Sequence, residues 1–476
     1  MKNLYYLLII SLITACTLGN EKASMEQIDK AEQAGNFTEA QKLIDLYIAQ
    51  NALTEDLVYQ LQWRKDRMRR IIIDFDKSKD DVLEVIRKYY PDVTDEQLAQ
   101  WEHARSLESM VIDGEKRYFD RSANNLFRID KEAIDRKREV DNPTVTPQSE
   151  IYRLPELVAE LKRTGKTQSS PVSVNVRYRL TLHADAVPDG EVVRCWLPYP
   201  REDHRRQFDV RLHSVNDSVY LIAPQHYPHR SLYMEKVAHK GEPLVFAYEF
   251  SYRSVAEWFD LESHGSFPSY STYNEEYKTY TAERPPHIVF SDSIKAISER
   301  VVGSETDPYQ KVKKIFRWID ENYPWAGARE YSTIENIPEY VLANGHGDCG
   351  QVTLLFITLA RYNGIPARWQ SGFAVLPATK NLHDWCEYYI EGIGWIPLDQ
   401  SHGQNSNVDE AGLRFFFAGG IDPYRWIVNN DLSQALYPAK LFPRSDNVDF
   451  QRGELEWRGG NIYYNLWDYD FEVDVK

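Results

Sequence analysis

The hydrophobic pattern of the chain changes period at Val172. From this residue to His183, apolar side chains alternate with polar ones, and the run Leu244–Tyr252 alternates in the same way. Alternation of this kind predicts antiparallel strands with one side in water. On both sides of this region the apolar residues recur every three or four positions, which predicts helices. With 476 residues, enough for about three domains, the chain is therefore expected to be an α+β multidomain protein.

Local signals place the domain boundaries. Thr94 and Gln97 have the spacing of a capping box, and Asp307 precedes a proline at a first helical position. Asn-Pro, Thr-Pro and Ser-Pro pairs interrupt the segment between the helices and the first strand. We expect, in order, a signal peptide at 1–15, a helical N-terminal domain at 16–140, a linker at 141–171 with at most one short helix, an antiparallel β-sandwich at 172–260, an α+β core at 261–404 and an aromatic-rich extension of that core at 405–476.

The charge of the chain excludes one class of partner. Asp+Glu 72 against Lys+Arg 56 gives a net charge of −16, so we expect no nucleic acid partner, because binding its phosphates requires a basic face. Hydrophobic residues at 42% and charged residues at 27% are typical of a folded globular protein. The sequence has no glycine-rich phosphate loop and no CxxCH motif, so we expect no cofactor.

The N-terminus has the pattern of an export signal. The apolar run 4–13 is too short to span a bilayer as a stop-transfer helix, and Thr-Ala-Cys16 follows it. This run resembles the lipobox of bacterial lipoproteins, in which the cysteine is acylated and becomes the first mature residue. Loss of 1–15 would remove one charged side chain, Lys2, and change the net charge from −16 to −17. We expect an exported protein held by lipid at Cys16 in the bacterial cell envelope, at the outer membrane, with the periplasmic or surface side left open.

The other cysteines are Cys195, Cys349 and Cys386. So few cysteines in so long a chain exclude a disulfide scaffold, and no CxxC spacing predicts a zinc or redox pair. Cys195 lies on one side of an alternating strand, where a small core residue is expected. Cys386 is three residues from His383 on a predicted strand and so points to the opposite side, which favours a structural role.

The segment around Cys349 carries the most chemical information. Asp348 is placed as the N-cap of a helix and Gln351, three residues on, as its capping-box partner. Cys349 would then be the first helical residue, where the helix dipole and free N–H groups favour a thiolate and would stabilise an oxyanion. The alternative is a buried structural cysteine at a helix start.

Downstream, two strands bring a histidine and an aspartate near one another. His383–Ile390 is predicted to be a strand, followed by a glycine turn and a second strand at Trp395–Asp399. His383 and Asp399 have the same parity, so they share a side only through an odd-length connection, a bulge or a diagonal placement across the pair. In that geometry His383 would deprotonate Cys349 and Asp399 would orient the imidazole.

These motifs, taken together, resemble the transglutaminase-like superfamily. The residues that carry the resemblance, over about 290–402, are Gly347-Asp348-Cys349, Gly364-Ile365-Pro366-Ala367-Arg368, His383-x-Trp385 and Trp395-x-x-x-Asp399. The resemblance implies a papain-like fold in the core and a catalytic triad of Cys349 as nucleophile, His383 as base and Asp399 as orienting group. It also makes Trp325 a candidate oxyanion donor, with a core tryptophan as the alternative.

Other polar residues near these motifs receive weaker assignments. His346, Asp348, Cys349 and His383 match no recurrent zinc spacing, so we expect no metal. Asp384 faces away from His383 and is a weaker orienting group than Asp399. His402 is expected to be a solvated turn histidine, with a place in the cleft as the alternative.

The sequence therefore predicts an exported, lipid-anchored thiol enzyme. The resemblance implies that it acts on protein, peptide or glycopeptide amides, through a thioester that is resolved by hydrolysis or by acyl transfer to an amine. The alternative is a catalytically silent surface lipoprotein that binds a glycan or a protein partner through its β domain.

Overall fold

The computed structural model describes residues 22–143, 146–406 and 408–476. The signal peptide and Cys16 lie outside the described residues. In these ranges no helix has both the length and the apolar character needed to cross a membrane. The chain divides into two compact units, the first holding residues up to Val82 with Ser109–Asp120 and the second holding Leu83–Glu108 with Arg121–Lys476.

The first unit is helical with one added hairpin. Its elements are α1 (Met25–Gln33), α2 (Phe37–Gln50), α3 (Glu55–Asp74), β1 (Ser109–Ile112) and β2 (Glu115–Tyr118). Ile28, Ile44 and Met68 are fully buried in its core. The helices confirm the periodicity of this region. The two strands are only four residues long, too short for alternation to be distinguished from the surrounding helical pattern.

The remaining helices follow in chain order. They are α4 (Lys79–Arg87), α5 (Asp95–His103), α6 (Ser122–Ile129), α7 (Lys131–Asp141), α8 (Gln148–Ile151), α9 (Leu154–Thr164), α10 (Glu275–Thr281), α11 (Asp292–Val301), α12 (Pro308–Asn322), α13 (Ile337–Asn344), α14 (Cys349–Tyr362), α15 (Ala411–Arg414) and α16 (Phe416–Gly419). The predicted caps are confirmed, since Thr94 and Gln97 form a capping box and the Asp307 side chain accepts a hydrogen bond at the start of α12.

The segment 141–171, expected to be a linker with at most one short helix, contains both α8 and α9. Leu154, Val158 and Leu161 of α9 have the i, i+4, i+7 spacing of one helix face, and all three are buried in the main core of the second unit. The segment is therefore part of a packed domain. Its prolines lie in and around the helices without preventing them from forming.

The strands of the second unit form three larger sheets and one short pair. They are β3 (Val172–Leu182), β4 (Val192–Pro198), β5 (Gln207–Val215), β6 (Leu221–Ile222), β7 (Ser231–Val237), β8 (Leu244–Ser254), β9 (Glu257–Trp258), β10 (Ala367–Ala374), β11 (Asn381–Ile390), β12 (Gly394–Leu398), β13 (Gly420–Ile421), β14 (Arg425–Asn429), β15 (Glu454–Trp457), β16 (Gly460–Ile462) and β17 (Trp467–Val475). The mixture of helices and antiparallel sheets confirms the α+β class.

Two of these sheets make the predicted β unit, with strand orders β16-β15-β4-β7-β6 and β17-β3-β8-β5. The C-terminal segment, expected to extend the core, does so in part: Phe416 and Phe417 of α16 are buried in the core's apolar cluster, and β14 pairs with β10. Its last three strands instead complete the two sheets that begin at Val172. Trp467 and Phe471 of β17 are buried against β3 in the apolar cluster of these sheets. Alternation in β17 indicates a strand but does not identify its neighbour.

The third large sheet, with strand order β12-β11-β10-β14, supports the helix that begins at Cys349. Leu355, Phe356 and Leu359 of α14 are fully buried in the same apolar cluster as Cys386 and Tyr388 of β11. Helix α14 is therefore buried along its length against the sheet. This packing fixes the position of the Cys349 end of the helix relative to the start of β11.

The role of β17 in closing the β unit predicts the effect of Phe471→Ala. Removing a buried aromatic ring costs about 3 kcal/mol of unfolding free energy, so the urea midpoint should fall clearly. Glu472→Ala on the same strand is the matched control, because its side chain is exposed and its ion pair with Arg177 at 3.0 Å is exposed as well. Equal midpoints for the two variants would contradict the packing of β17.

Candidate active site

The N-terminus of α14 is built as the sequence predicts. Asp348 is the N-cap, its side chain accepts a hydrogen bond from the Gln351 N–H at 3.0 Å, and the Gln351 side chain accepts one from the Asp348 N–H at 3.1 Å. The Tyr331 hydroxyl also donates to Asp348, at 2.7 Å. Cys349 is the first helical residue and is 9% exposed. The capping box thus satisfies backbone groups at a buried helix start.

Gly350 allows two polar side chains to approach this helix start. A Cβ at position 350 would lie 2.2 Å from the Tyr331 hydroxyl oxygen and 2.6 Å from Asp384 Oδ2. Any larger residue would therefore displace Tyr331, Asp384 or the helix itself. The absence of a side chain at Gly350 is what permits a tyrosine and a carboxyl group to surround Cys349.

The thiol of Cys349 is hydrogen-bonded to Asp384, with Sγ 3.3 Å from Oδ2. Burial, and then the charges of Asp384 and Asp348, raise the pKa of the thiol well above its ordinary value. The expectation that the helix start yields a thiolate is therefore wrong for this arrangement. A helix dipole is worth at most about 2 kcal/mol, and here burial and two neighbouring carboxyl groups outweigh it.

Asp384 belongs to a buried pair of carboxyl groups. Its carboxyl group is hydrogen-bonded to that of Asp449, which also accepts from the Ser371 hydroxyl at 2.5 Å and from Asn429 at 2.8 Å. Two carboxyl groups in this contact share a proton. Burial and the charge of Asp449 raise the pKa of Asp384 well above its usual range. Gln451 completes the arrangement by donating to Asp384 Oδ1 at 2.8 Å.

His383 and Asp399 form the second half of the site. His383 Nε2 lies 2.6 Å from Asp399 Oδ2. The register of β11 with β12 pairs Cys386 with Leu398, and its continuation sets Asp399 diagonal to His383. The diagonal alternative of the sequence analysis is the one that the structure adopts.

This pairing sets the protonation of both groups. Burial, opposed by Asp399, lowers the pKa of His383 to about 4. Although burial disfavours its charge, the neighbours His383, His402 and Arg425 hold the pKa of Asp399 well below its usual value. The imidazole is therefore neutral near pH 7, and its Nε2–H donates to Asp399. Its Nδ1 atom has no hydrogen-bond partner among the described residues and is left as the acceptor.

Three nitrogen groups converge on one oxygen of Asp399. Besides His383, the His402 Nδ1 atom lies 3.0 Å and an Arg425 nitrogen 2.9 Å from Oδ2. His383, Asp399 and His402 are close enough to hold a metal ion together. The buried Arg425 guanidinium already supplies positive charge at this carboxylate, so the cluster fits an ion-paired carboxylate better than a cation site. The His402 side chain, 8% exposed, is thus held in the site and is not that of a solvated turn histidine.

The structure brings the predicted triad residues together in two groups. His383 and Asp399 are paired, whereas the hydrogen-bond partner of the Cys349 thiol, within the described part of the chain, is Asp384 and not His383. Cys349 and Asp384 both line a cleft, together with Trp325 and Arg452. Cys195 and Cys386 are fully buried in apolar clusters, as their strand positions predict.

Trp325 lines this cleft, and its segment is hydrogen-bonded to the backbone of Gly347, the residue before Asp348. Its own backbone forms a parallel bridge with Gly347, and the Ala326 N–H donates to the Gly347 carbonyl at 3.2 Å. The side chain is 39% exposed. Its position at the cleft mouth favours the ligand-facing interpretation over a core tryptophan.

Several residues of the site escaped the sequence analysis. Tyr331, Asp449 and Arg425 reach it from distant or irregular segments, and no local pattern marks them. The position of Asp384 could have been predicted, because strand parity places its side chain on the same side of β11 as Cys386. Helix α14 packs on that side of the sheet.

A family model and a curated relative each match part of this chain. Residues 295–400 match the transglutaminase-like superfamily. An uncharacterized protein of Haemophilus influenzae is 28% identical over 159 residues, a match that covers 28% of this chain, and the chain spans 41% of the length of that relative. The motif resemblance is thereby confirmed for residues 295–400, which form a transglutaminase-like domain.

The comparison with solved structures found matches over part of this chain. A candidate cysteine protease of Cytophaga hutchinsonii is 15% identical with a TM-score of 0.45, over 65% of this chain and 91% of that one. The periplasmic domain of TgpA from Pseudomonas aeruginosa is 14% identical with a TM-score of 0.27, over 52% of this chain and 91% of that one.

The contact between Cys349 and Asp384 predicts the effect of Asp384→Asn. Removing the carboxyl group takes away a charge that opposes thiolate formation, so the pKa of Cys349 should fall and alkylation by iodoacetamide at pH 8 to 9 should accelerate about threefold or more. Peptide mass spectrometry reports the rate at Cys349 separately from the other thiols. The exposed Asp468→Asn variant is the control. An unchanged pH profile in Asp384→Asn would show that burial alone sets the thiol pKa.

Proposed function

We propose that this chain, which carries a transglutaminase-like domain at 295–400, is a thiol enzyme that attacks a protein, peptide or glycopeptide amide through Cys349. One observation carries the proposal: Cys349 at a helix N-terminus lines a cleft and is hydrogen-bonded to Asp384, and the residue before Asp384 on its strand is a histidine that is hydrogen-bonded to a carboxylate. Nucleophile, base and orienting group are the components that acyl transfer requires.

The first half of the proposed reaction uses these residues in turn. The Cys349 thiol gives its proton to His383 Nδ1 as Sγ bonds to the amide carbon. The oxyanion that forms accepts hydrogen bonds from the Cys349 N–H and the Trp325 indole N–H. The carbon–nitrogen bond then breaks, and His383 returns the proton to the departing amine. Asp399 stays ionised and stabilises the imidazolium during the transfer.

The second half releases the acyl group. Water, or a second amine, attacks the thioester carbon and gives its proton to His383, and the Cys349 sulfur leaves and regains a proton. Water yields hydrolysis, and an amine yields a cross-link. The acceptor that reaches the cleft therefore decides between the two outcomes.

In this proposal, the hydrogen bond between the Cys349 thiol and Asp384 belongs to the resting state of the enzyme. For the first proton transfer the thiol exchanges its hydrogen bond to Asp384 for one to His383. Asp384 and Asp449 keep sharing one proton in this step, so the pair places no charge beside the sulfur beyond the one that it already holds. The resting thiol is thereby protected as the less reactive neutral form.

The proposed location follows from the N-terminal sequence. Acylation at Cys16 would hold the enzyme at the bacterial envelope, with the outer membrane as the proposed site. Its substrates would then be envelope proteins or peptides.

The proposal predicts that Cys349→Ala abolishes turnover. The assay follows incorporation of a fluorescent primary amine into casein and release of amine from the same protein, with intact mass reporting an acyl adduct on the enzyme. Cys386→Ala, which also removes one buried thiol, is the matched control and should retain most activity. Equal turnover by Cys349→Ala and the unmodified protein would overturn the enzyme assignment in favour of a binding protein.

The protonation of His383 predicts the acid limb of the pH profile. Because the histidine pKa is lowered to about 4, the imidazole accepts a proton at every pH above that value, and kcat/KM should fall as the pH decreases through about 4, not through the ordinary 6.5. Intrinsic fluorescence at each pH separates this loss from unfolding. An acid limb centred near 6.5 would contradict the neutral, buried imidazole.

Asp399→Asn tests the orienting role. The amide keeps the shape of the side chain but removes the charge that stabilises the imidazolium, so kcat should fall by about 100-fold or more while KM changes little. Asp422→Asn is the control, because Asp422 also pairs with Arg425 but does not contact His383. A similar loss in both variants would assign the effect to Arg425.

A further inference from the structure

Helix α6 is fixed to the segment that forms one wall of the cleft. The buried Asn125 side chain makes two hydrogen bonds to the backbone of Gly327, accepting from its N–H at 2.9 Å and donating to its carbonyl at 2.8 Å. Gly327 follows Trp325 by two residues and lines the cleft with Cys349. A helix from outside the transglutaminase-like domain is thereby held against the site by a bidentate contact.

Two arginines flank Asn125 on this face of the helix. Arg121, Asn125 and Arg128 have the i, i+4, i+7 spacing of one helix face. Arg121 lines the cleft, and its Cδ atom would lie 2.8 Å from a Cβ at Gly327. The Arg128 guanidinium lies over the Trp325 ring, 4.5 Å from its centre. Gly327 therefore leaves space for the Arg121 side chain. The Trp325 ring contacts the Arg128 guanidinium through a cation–π interaction.

Arg121 and Arg128 are both exposed, and neither forms an ion pair with a described residue. The other two arginines of the cleft are neutralised, since Arg452 pairs with Glu330 at 2.5 Å and Arg329 with Glu108 at 3.5 Å. The chain as a whole has a net charge of −16, yet these two neighbouring arginines have no carboxylate partner among the described residues. Their positive charges are therefore available to a ligand.

The electrostatic setting supports an incoming anion. Burial and the charge of Arg121 lower the pKa of Arg128, which shows that the two like charges act on one another. Arg121 also lowers the pKa of Asp348, although burial raises it overall to about 6. Burial raises the pKa of Asp446, a further acid of the cleft, to about 7. The acids therefore hold less negative charge near pH 7 than their number indicates.

We propose that Arg121, which lines the cleft with Cys349, and Arg128, which lies over the Trp325 ring, bind a carboxylate of the acyl donor. The inference rests on the proposed function and names the substrate class for that same site: a peptide with an acidic side chain, or a free terminal carboxylate, near the amide that Cys349 attacks. Arginine forks hold carboxylates by paired hydrogen bonds. The N-terminal helical segment thus supplies specificity to a domain that supplies the chemistry.

The experiment compares two alkylating agents of similar size on the full chain. Iodoacetate carries a carboxylate and iodoacetamide does not, and both react with the same thiolate of Cys349. The ratio of their rates therefore cancels the thiol pKa and reports the local field. We expect Arg121→Gln to lower the iodoacetate to iodoacetamide ratio by about threefold or more, and added salt to remove the difference.

Matched variants separate a specific cation from general charge. Arg121→Lys should retain most of the ratio because it keeps the charge. Arg211→Gln removes another exposed arginine, on β5, that has no ion pair among the described residues, and should leave the ratio unchanged. An unchanged ratio in both Arg121→Gln and Arg128→Gln would overturn the proposal, as would an equal fall in Arg211→Gln.

A binding measurement keeps the test independent of catalysis. A fluorescent peptide containing three consecutive glutamates should bind the Cys349→Ala protein more tightly than its glutamine counterpart, and the double variant Arg121→Gln with Arg128→Gln should remove the preference. Equal binding of the two peptides to Cys349→Ala would overturn the carboxylate site. Failure of the proposed function has a different signature, because turnover would then be absent while the charge preference persisted.

Discussion

The burial of helix α14 is the constraint on which the site depends. A helix surrounded by protein has no water to satisfy the N–H groups of its first turn, so the chain must supply partners from within. Asp348 and Gln351 do this through the capping box, and Tyr331 in turn satisfies Asp348. Because these partners are polar and buried, the first helical residue, Cys349, lies in a pocket of hydrogen-bonding groups at a fixed place above the sheet.

The same burial separates the charges of the site into two classes. Asp399 stays ionised because His383, His402 and Arg425 surround it with donors. Burial, and then the charge of Asp449, raise the pKa of Asp384, so that this carboxyl group is protonated more easily. Two aspartates in one unit therefore differ in protonation for reasons that can be traced to their partners. The ionised Asp399 contacts His383, the proposed base. Asp384, which shares a proton with Asp449, contacts the Cys349 thiol.

The sequence is informative where structure is local. The alternation from Val172, the cap at Asp348 and the parity of His383 and Asp399 each concern residues within one element or one hairpin, and each corresponds to the structure. Contacts between distant segments were not predictable in this way. Asp449 reaches Asp384 from an irregular stretch, and β17 pairs with β3 from the opposite end of the unit. Periodicity reports which side of a strand is buried but carries no information about its neighbour.

The bidentate contact between Asn125 and Gly327 has a consequence for how the protein is divided. It joins a helix that lies well before the transglutaminase-like domain to the wall of the cleft, while β15 to β17, which follow that domain in the chain, complete the two sheets of the β unit. Residues 295–400, which include Cys349, therefore do not contain the complete cleft by themselves. A fragment cut at the limits of sequence similarity would keep Cys349, His383 and Asp399 yet lose one side of the cleft and the closing strands of the β unit.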